Sequence, residues 1–81
     1  MISLIELLGE KEAKVISIEG GHGVMRKLYH LGIREGIMIK KVTKTDQSGP
    51  VVIKIGHSKV ALGRGMAQKI IVEPLEIDHR P

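Results

Sequence analysis

Along this chain the apolar positions alternate in some stretches and recur every three to four residues in others. The change of period marks the elements. In "MISLIELLGE", Ser3 and Glu6 have the spacing of a capping box, with Ile2 as a staple residue and Leu4, Ile5, Leu7 and Leu8 behind it. Gly9 closes the segment, so a short N-terminal helical turn is expected. "KVISIE", Lys14 to Glu19, alternates with Ile16 and Ile18 on one face and reads as the first strand. After the loop "GGHG", the period lengthens. Val24, Leu28 and Leu31 stand at i, i+4 and i+7 with Met25 and Tyr29 beside them, while Arg26, Lys27 and His30 fall on the opposite arc. A helix from about His22 to Leu31 follows.

"LYHLGIREG" then punctuates the chain. Gly32 is placed to be the left-handed residue that ends the helix, and Ile33 to fold back onto Leu28. Gly36 turns the chain into "IMIKKVTK", Ile37 to Lys44, the second strand. Its alternation slips, because Val42 falls on the face opposite Ile37 and Ile39. A β-bulge near Lys40 and Lys41 would restore the register. "TDQSGP" is a polar loop, and "VVIKI" and "SKVAL" flank the hairpin connection Gly56-His57. "GRGMA" is a tight corner or short 3₁₀ turn, and "QKIIVE" is the last strand, ended by Pro74. "LEIDHRP" is a loose tail.

About five short strands with one short helix between the first and second make the chain mainly β. The expected fold is a small antiparallel barrel whose closure removes the sheet edges. The 81 residues suffice for one core, so residues 1–74 form a single domain and 75–81 the tail. Trp and Phe are absent and Tyr29 is the sole aromatic, so Ile, Val, Leu and Met must fill the interior. With no Cys there is neither a disulfide nor a thiolate metal site, which fits a reducing cytoplasm. No stretch reads as a signal peptide or approaches the roughly 20 apolar residues of a membrane span, so a soluble chain is expected.

Charge changes the picture more than composition does. The net charge is +4, and Lys40, Lys41, Lys44, Lys54, Lys59, Arg64 and Lys69 face only Asp46 across their stretch. A basic face toward nucleic acid or an anionic membrane is one reading. The other is a set of outward strand positions where Lys guards edges. Stacking aromatics, which single-strand binders use, are missing.

Candidate chemistry is sparse. The potential metal ligands are His22, His30, His57 and His79 with Glu19, Asp46, Glu73, Glu76 and Asp78, and none shows a ligand spacing. On a helix, His22 and His30 stand roughly 12 Å apart along the axis, too far to share an ion. His22, His57 and His79 read as loop histidines that are at most weak metal candidates, the last able to take up metal adventitiously beside Asp78. "GGHG" before a helix favours anions, but the glycines are explained by a strand-to-helix corner and no phosphate-loop pattern follows. Ser3, Ser17, Ser48 and Ser58 have no recognisable His and acid partners, so an enzyme is not expected.

A binding surface remains. Arg26, Lys27 and His30 with the adjoining Arg34 form a cationic patch edged by Tyr29, composed of residue types that interfaces favour or equally a solvated helix face. Outward Met38, Val52 and Ile71 form a second, apolar candidate, with the N-terminal turn as its cover through Leu4 and Leu7.

The ordered run "V.SI.GG.G...KL..LGI..G", the "GP" before an aliphatic strand, "HSKVAL" and the closing "A..I.V" together resemble the FeoA family over about Ile2 to Val72. That resemblance implies an SH3-like β-barrel related to the C-terminal domain of iron-dependent repressors. It also implies a non-enzymatic cytoplasmic accessory role in bacterial ferrous-iron uptake. The implied partner is FeoB, the membrane ferrous-iron permease with a cytosolic GTP-binding domain, and docking on that domain or on the membrane core is the expected activity. Arg26, Lys27, Tyr29, His30 and Arg34 are the partner-binding candidates. No resident cofactor is implied; Fe²⁺ or another divalent transition metal is the ligand that the iron context brings, and only transiently. One departure is Gly63-Arg64-Gly65 after "VAL", where relatives usually carry more helix-compatible residues. The other classes open are a metal-sensing module like the repressor barrel and a small basic nucleic-acid-binding barrel.

Overall fold

β2, Glu12–Ile18, is the strand on which the sheet is laid. Ala13 and Val15 are buried from it while Glu12 and Lys14 face out, the alternation of a half-buried strand. The computed structural model describes residues 1–7, 9–43 and 49–75. The tail from residue 76, with Glu76, Asp78 and His79, lies outside them, as do Leu8 and most of the polar loop, including Lys44, Asp46 and Ser48.

The remaining strands are β1 (Ile2–Ser3), β3 (Met38–Lys41), β4 (Val51–Ile55), β5 (Ser58–Leu62) and β6 (Ile70–Pro74). They form one antiparallel sheet in the order β1-β6-β2-β3-β4-β5. Helix α1, His22–His30, joins β2 to β3, and a single turn of helix α2, Arg64–Ala67, joins β5 to β6. The corner expected at "GRGMA" is therefore α-helical, with Ala67 N–H donating to the Gly63 carbonyl at 2.9 Å. Glycine is not required there, since neither Gly63 nor Gly65 has a positive φ.

The sixth strand is β1, which pairs Ile2 with Val72 and Ser3 with Ile71 before the chain enters a 3₁₀ turn at Leu4–Glu6. The Glu6 carboxylate accepts the Ser3 N–H at 3.2 Å, as the capping pattern predicts. No ladder joins β5 to β1 among the described residues, so hydrogen bonding does not close the barrel and two edges remain. The 3₁₀ turn and α2 pack against each other instead. Leu4, Leu7 and Ala67 carry this junction into the core, each at most 1% exposed. The leucines thus do not cover the outward apolar residues: Met38 stays exposed, and Val52 and Ile71 are half-buried.

The expected bulge exists, but on a different strand. The register between β2 and β6 shifts between Val15 and Ser17, so Ile18 points inward while Ile16 is only half-buried. β3 needs no bulge. Its alternation continues unbroken through Ile39 and Lys41, and the second inward residue is a lysine, 1% exposed. The Lys41 stem runs through the core, and its ammonium donates to the carbonyls of Ile5 at 2.9 Å and Leu7 at 2.7 Å. Burial holds this ammonium below its usual value of 10.5, and the nearby Arg64 charge pushes the same way. Lys41 thereby ties the N-terminal turn to the middle of the sheet.

Candidate docking surface

Three contacts fix α1 on the sheet. Gly20, at φ +114°, makes the corner: a Cβ there would lie 3.2 Å from the Val24 side chain. Leu28 is fully buried, with Val24 and Met25 packed beside it. At the far end, the Ile33 N–H donates to the Leu28 carbonyl at 2.8 Å and the Gly32 N–H to the Tyr29 carbonyl at 2.9 Å. Gly32 sits at φ +90° between them, which completes a Schellman cap. Ile33 is fully buried and makes the apolar half of the motif. The following turn is anchored to β2, with the Gly36 N–H donating to the Val15 carbonyl at 2.8 Å.

With the buried arc fixed, the helix geometry leaves an outward arc of roughly 160° from Tyr29 through His22 and His30 to Lys27. Arg26, Lys27 and His30 are exposed on it, and Tyr29 is 46% exposed. Arg34 is exposed in the turn beyond the cap. The five docking candidates are therefore carried by one helix and the turn that stops it.

Leu31 departs from the expected apolar stripe and is 41% exposed. It is the helix C-cap, and Ile33, returned by the Schellman bonds, occupies the core instead. Leu31 thus lies past Lys27, at the edge of the outward arc away from Tyr29, and the two do not share one apolar patch. A pattern of helical periodicity includes Leu31 in the buried stripe, so sequence reasoning missed it as a surface residue.

The described histidines do not form a metal cluster. His22 opens α1, His57 sits in the β4–β5 hairpin, and both are exposed. Among the described residues, no group of three or more His, Asp or Glu side chains is placed to hold a metal ion. No described helix is long and apolar enough to cross a membrane.

Comparison with known proteins adds an independent line. The FeoA domain family matches residues 2–74. "Putative Fe(2+) transport protein A" of Methanocaldococcus jannaschii is 41% identical over 66 residues, 82% of this chain and 78% of that protein. The solution structure of a FeoA-like protein from Clostridium acetobutylicum superimposes with a TM-score of 0.81 at 29% identity, covering 99% of this chain and 93% of the other. FeoA of Stenotrophomonas maltophilia, crystallised with zinc and described as an SH3 domain protein, gives a TM-score of 0.76 at 27% identity over 90% of this chain and 91% of that one.

Proposed function

From the premise that this chain belongs to the FeoA family, which is associated with ferrous-iron transport and is not an enzyme family, we propose that it acts by docking on FeoB. The outer arc of α1 is the contact. One observation carries this reading: exposed Tyr29 shares the outward arc of α1 with Arg26, Lys27 and His30, on a helix whose end is locked by its cap. The rigidly presented Tyr29 ring offers the apolar contact an interface needs, and the adjoining cations supply orientation and encounter rate toward an acidic partner surface. The protein works non-enzymatically in the cytoplasm, and Fe²⁺ is the cargo of its partner.

Binding of the purified chain to full-length FeoB in detergent, and to its GTP-binding domain alone, tests the proposal. Tyr29→Ala is expected to weaken binding about thirtyfold, as loss of a buried interface aromatic does. The double reversal Arg26→Glu with Lys27→Glu should slow association and remove its salt dependence. Equal affinity of both variants and the wild type would place the interface elsewhere on the molecule.

A further inference from the structure

The strand register does something to the lysines that their spacing in the chain does not show. Lys59 pairs directly with Lys54, Lys54 with Lys40, and Lys40 with Glu12. Three exposed lysines therefore lie side by side across β5, β4 and β3, with a single carboxylate only at the β2 end of the row. Directly opposed strand residues hold their Cβ atoms about 5 Å apart, and like charges in that relation destabilise a sheet. Edge protection accounts for Lys59, which is on an edge strand. It does not account for Lys40 and Lys54, because β3 and β4 are interior strands.

Of the neighbouring rows, one is apolar and the other mixes an apolar residue with charges. On one side Val52 pairs with Ala61, and the Val42 N–H donates to the Val52 carbonyl at 2.8 Å, placing Val42 beside them. On the other side Met38 is 43% exposed and pairs with Lys14, an exposed cation that is itself opposed by Glu73 on β6. Met38, Lys40 and Lys54 also line a shallow open hollow with Glu12, Ile39 and Gly56.

We propose that this outward face of β3, β4 and β5 binds the surface of an anionic phospholipid bilayer. The Lys40, Lys54 and Lys59 ammoniums meet headgroup phosphates, and Met38 and Val42 enter the boundary beside them. Anionic headgroups relieve the repulsion that the register imposes, and apolar flanks next to the cations suit a boundary between water and hydrocarbon. Nucleic acid fits the face less well: the chain's one aromatic, Tyr29, is on α1, so no base can stack, and the row contains no arginine to fork onto base edges.

Co-sedimentation of the full chain with vesicles decides the matter. It contains no permease, so its failure is separate from failure of FeoB docking, which is measured in detergent. Vesicles of equimolar phosphatidylglycerol and phosphatidylcholine should retain the protein at low salt and release it at high salt, while pure phosphatidylcholine should not retain it. The triple variant Lys40→Ser, Lys54→Ser, Lys59→Ser should bind at least tenfold more weakly with unchanged circular dichroism. Met38→Ser with Val42→Ser should weaken vesicle binding severalfold and leave binding to soluble heparin unchanged.

Absence of low-salt binding to the anionic vesicles, or equal binding by the lysine variant, would overturn the proposal. So would vesicle binding indifferent to the Met38 and Val42 changes. Tighter binding of duplex or single-stranded nucleic acid through the same lysines would overturn it in favour of a nucleic-acid face.

Discussion

The end of α1 and the middle of β3 are both places where a few hydrogen bonds hold the fold together, and they differ in how far those bonds reach. At the helix end the bonds join Leu28 to Ile33 and Tyr29 to Gly32, all within six consecutive residues. At β3 the Lys41 ammonium reaches carbonyls 34 and 36 residues earlier in the chain. The first device is local and can be recognised by its residue types, because only glycine takes the left-handed position without penalty. The second is built from a residue type that ordinarily signals the surface. A lysine is tolerated inside only because two carbonyls are already positioned to accept its protons.

Breaking the long-range device should cost most. Lys41→Ala removes the donors of two carbonyls and leaves a cavity in the core, so a loss of about 3 kcal/mol is expected in urea denaturation. Lys41→Met refills the space and leaves only the carbonyls unsatisfied, and about half that loss should remain. Amide exchange should accelerate first in residues 2–7, since that is the segment the ammonium ties down. A uniform acceleration across all strands would show that Lys41 stabilises the whole barrel instead of the turn.

Breaking the local device costs less. Gly32→Ala places a Cβ at φ +90° in open space, so the expected loss of about 1 kcal/mol is backbone strain alone. Gly32→Asn, which tolerates the left-handed region better, should recover part of it. An unchanged melting temperature in both variants would refute the cap.

The outward lysine row sharpens the comparison with a third strand-level effect of opposite sign. Lys54→Ser relieves repulsion from both Lys40 and Lys59, so it should raise stability by a few tenths of a kcal/mol at low salt, and the gain should shrink as salt is added.

The smallest effect concerns pH. Because the folded state holds the Lys41 ammonium below 10.5, the unfolded chain binds that proton more tightly. Stability of the wild type relative to Lys41→Met should therefore rise as pH climbs from the folded value toward 10.5, and level off above it. A difference that falls with pH across that window would mean that the carbonyl bonds outweigh burial and the Arg64 charge.

Sequence periodicity located nearly every element, and its errors have one origin. Periodicity puts a bulge in "IMIKKVTK" because Lys41 looks polar at an inward position. The strand is regular, and the bulge falls at Val15–Ser17, where "VISI" offers apolar residues to either face and so hides a change of register. Periodicity places Leu31 in the core because a helical wheel continues past the point where the chain leaves the helix. The cationic residues of α1 were legible as a group because they share one short helix. The lysine row was not, because Lys40, Lys54 and Lys59 become neighbours only through two antiparallel pairings.

Features that depend on residues close along the chain can be read from the order of residues alone. They include the capped N-terminal turn, the glycine-stopped helix, the Gly56 hairpin and the ordered signature that marks the family. Register and closure belong to the folded chain as a whole. They placed a lysine inside the barrel, left β1 and β5 without a shared ladder among the described residues, and set three like charges side by side. Local propensity acts over a few residues, whereas these outcomes follow from pairing energies summed over strands far apart in the chain, which no local pattern encodes.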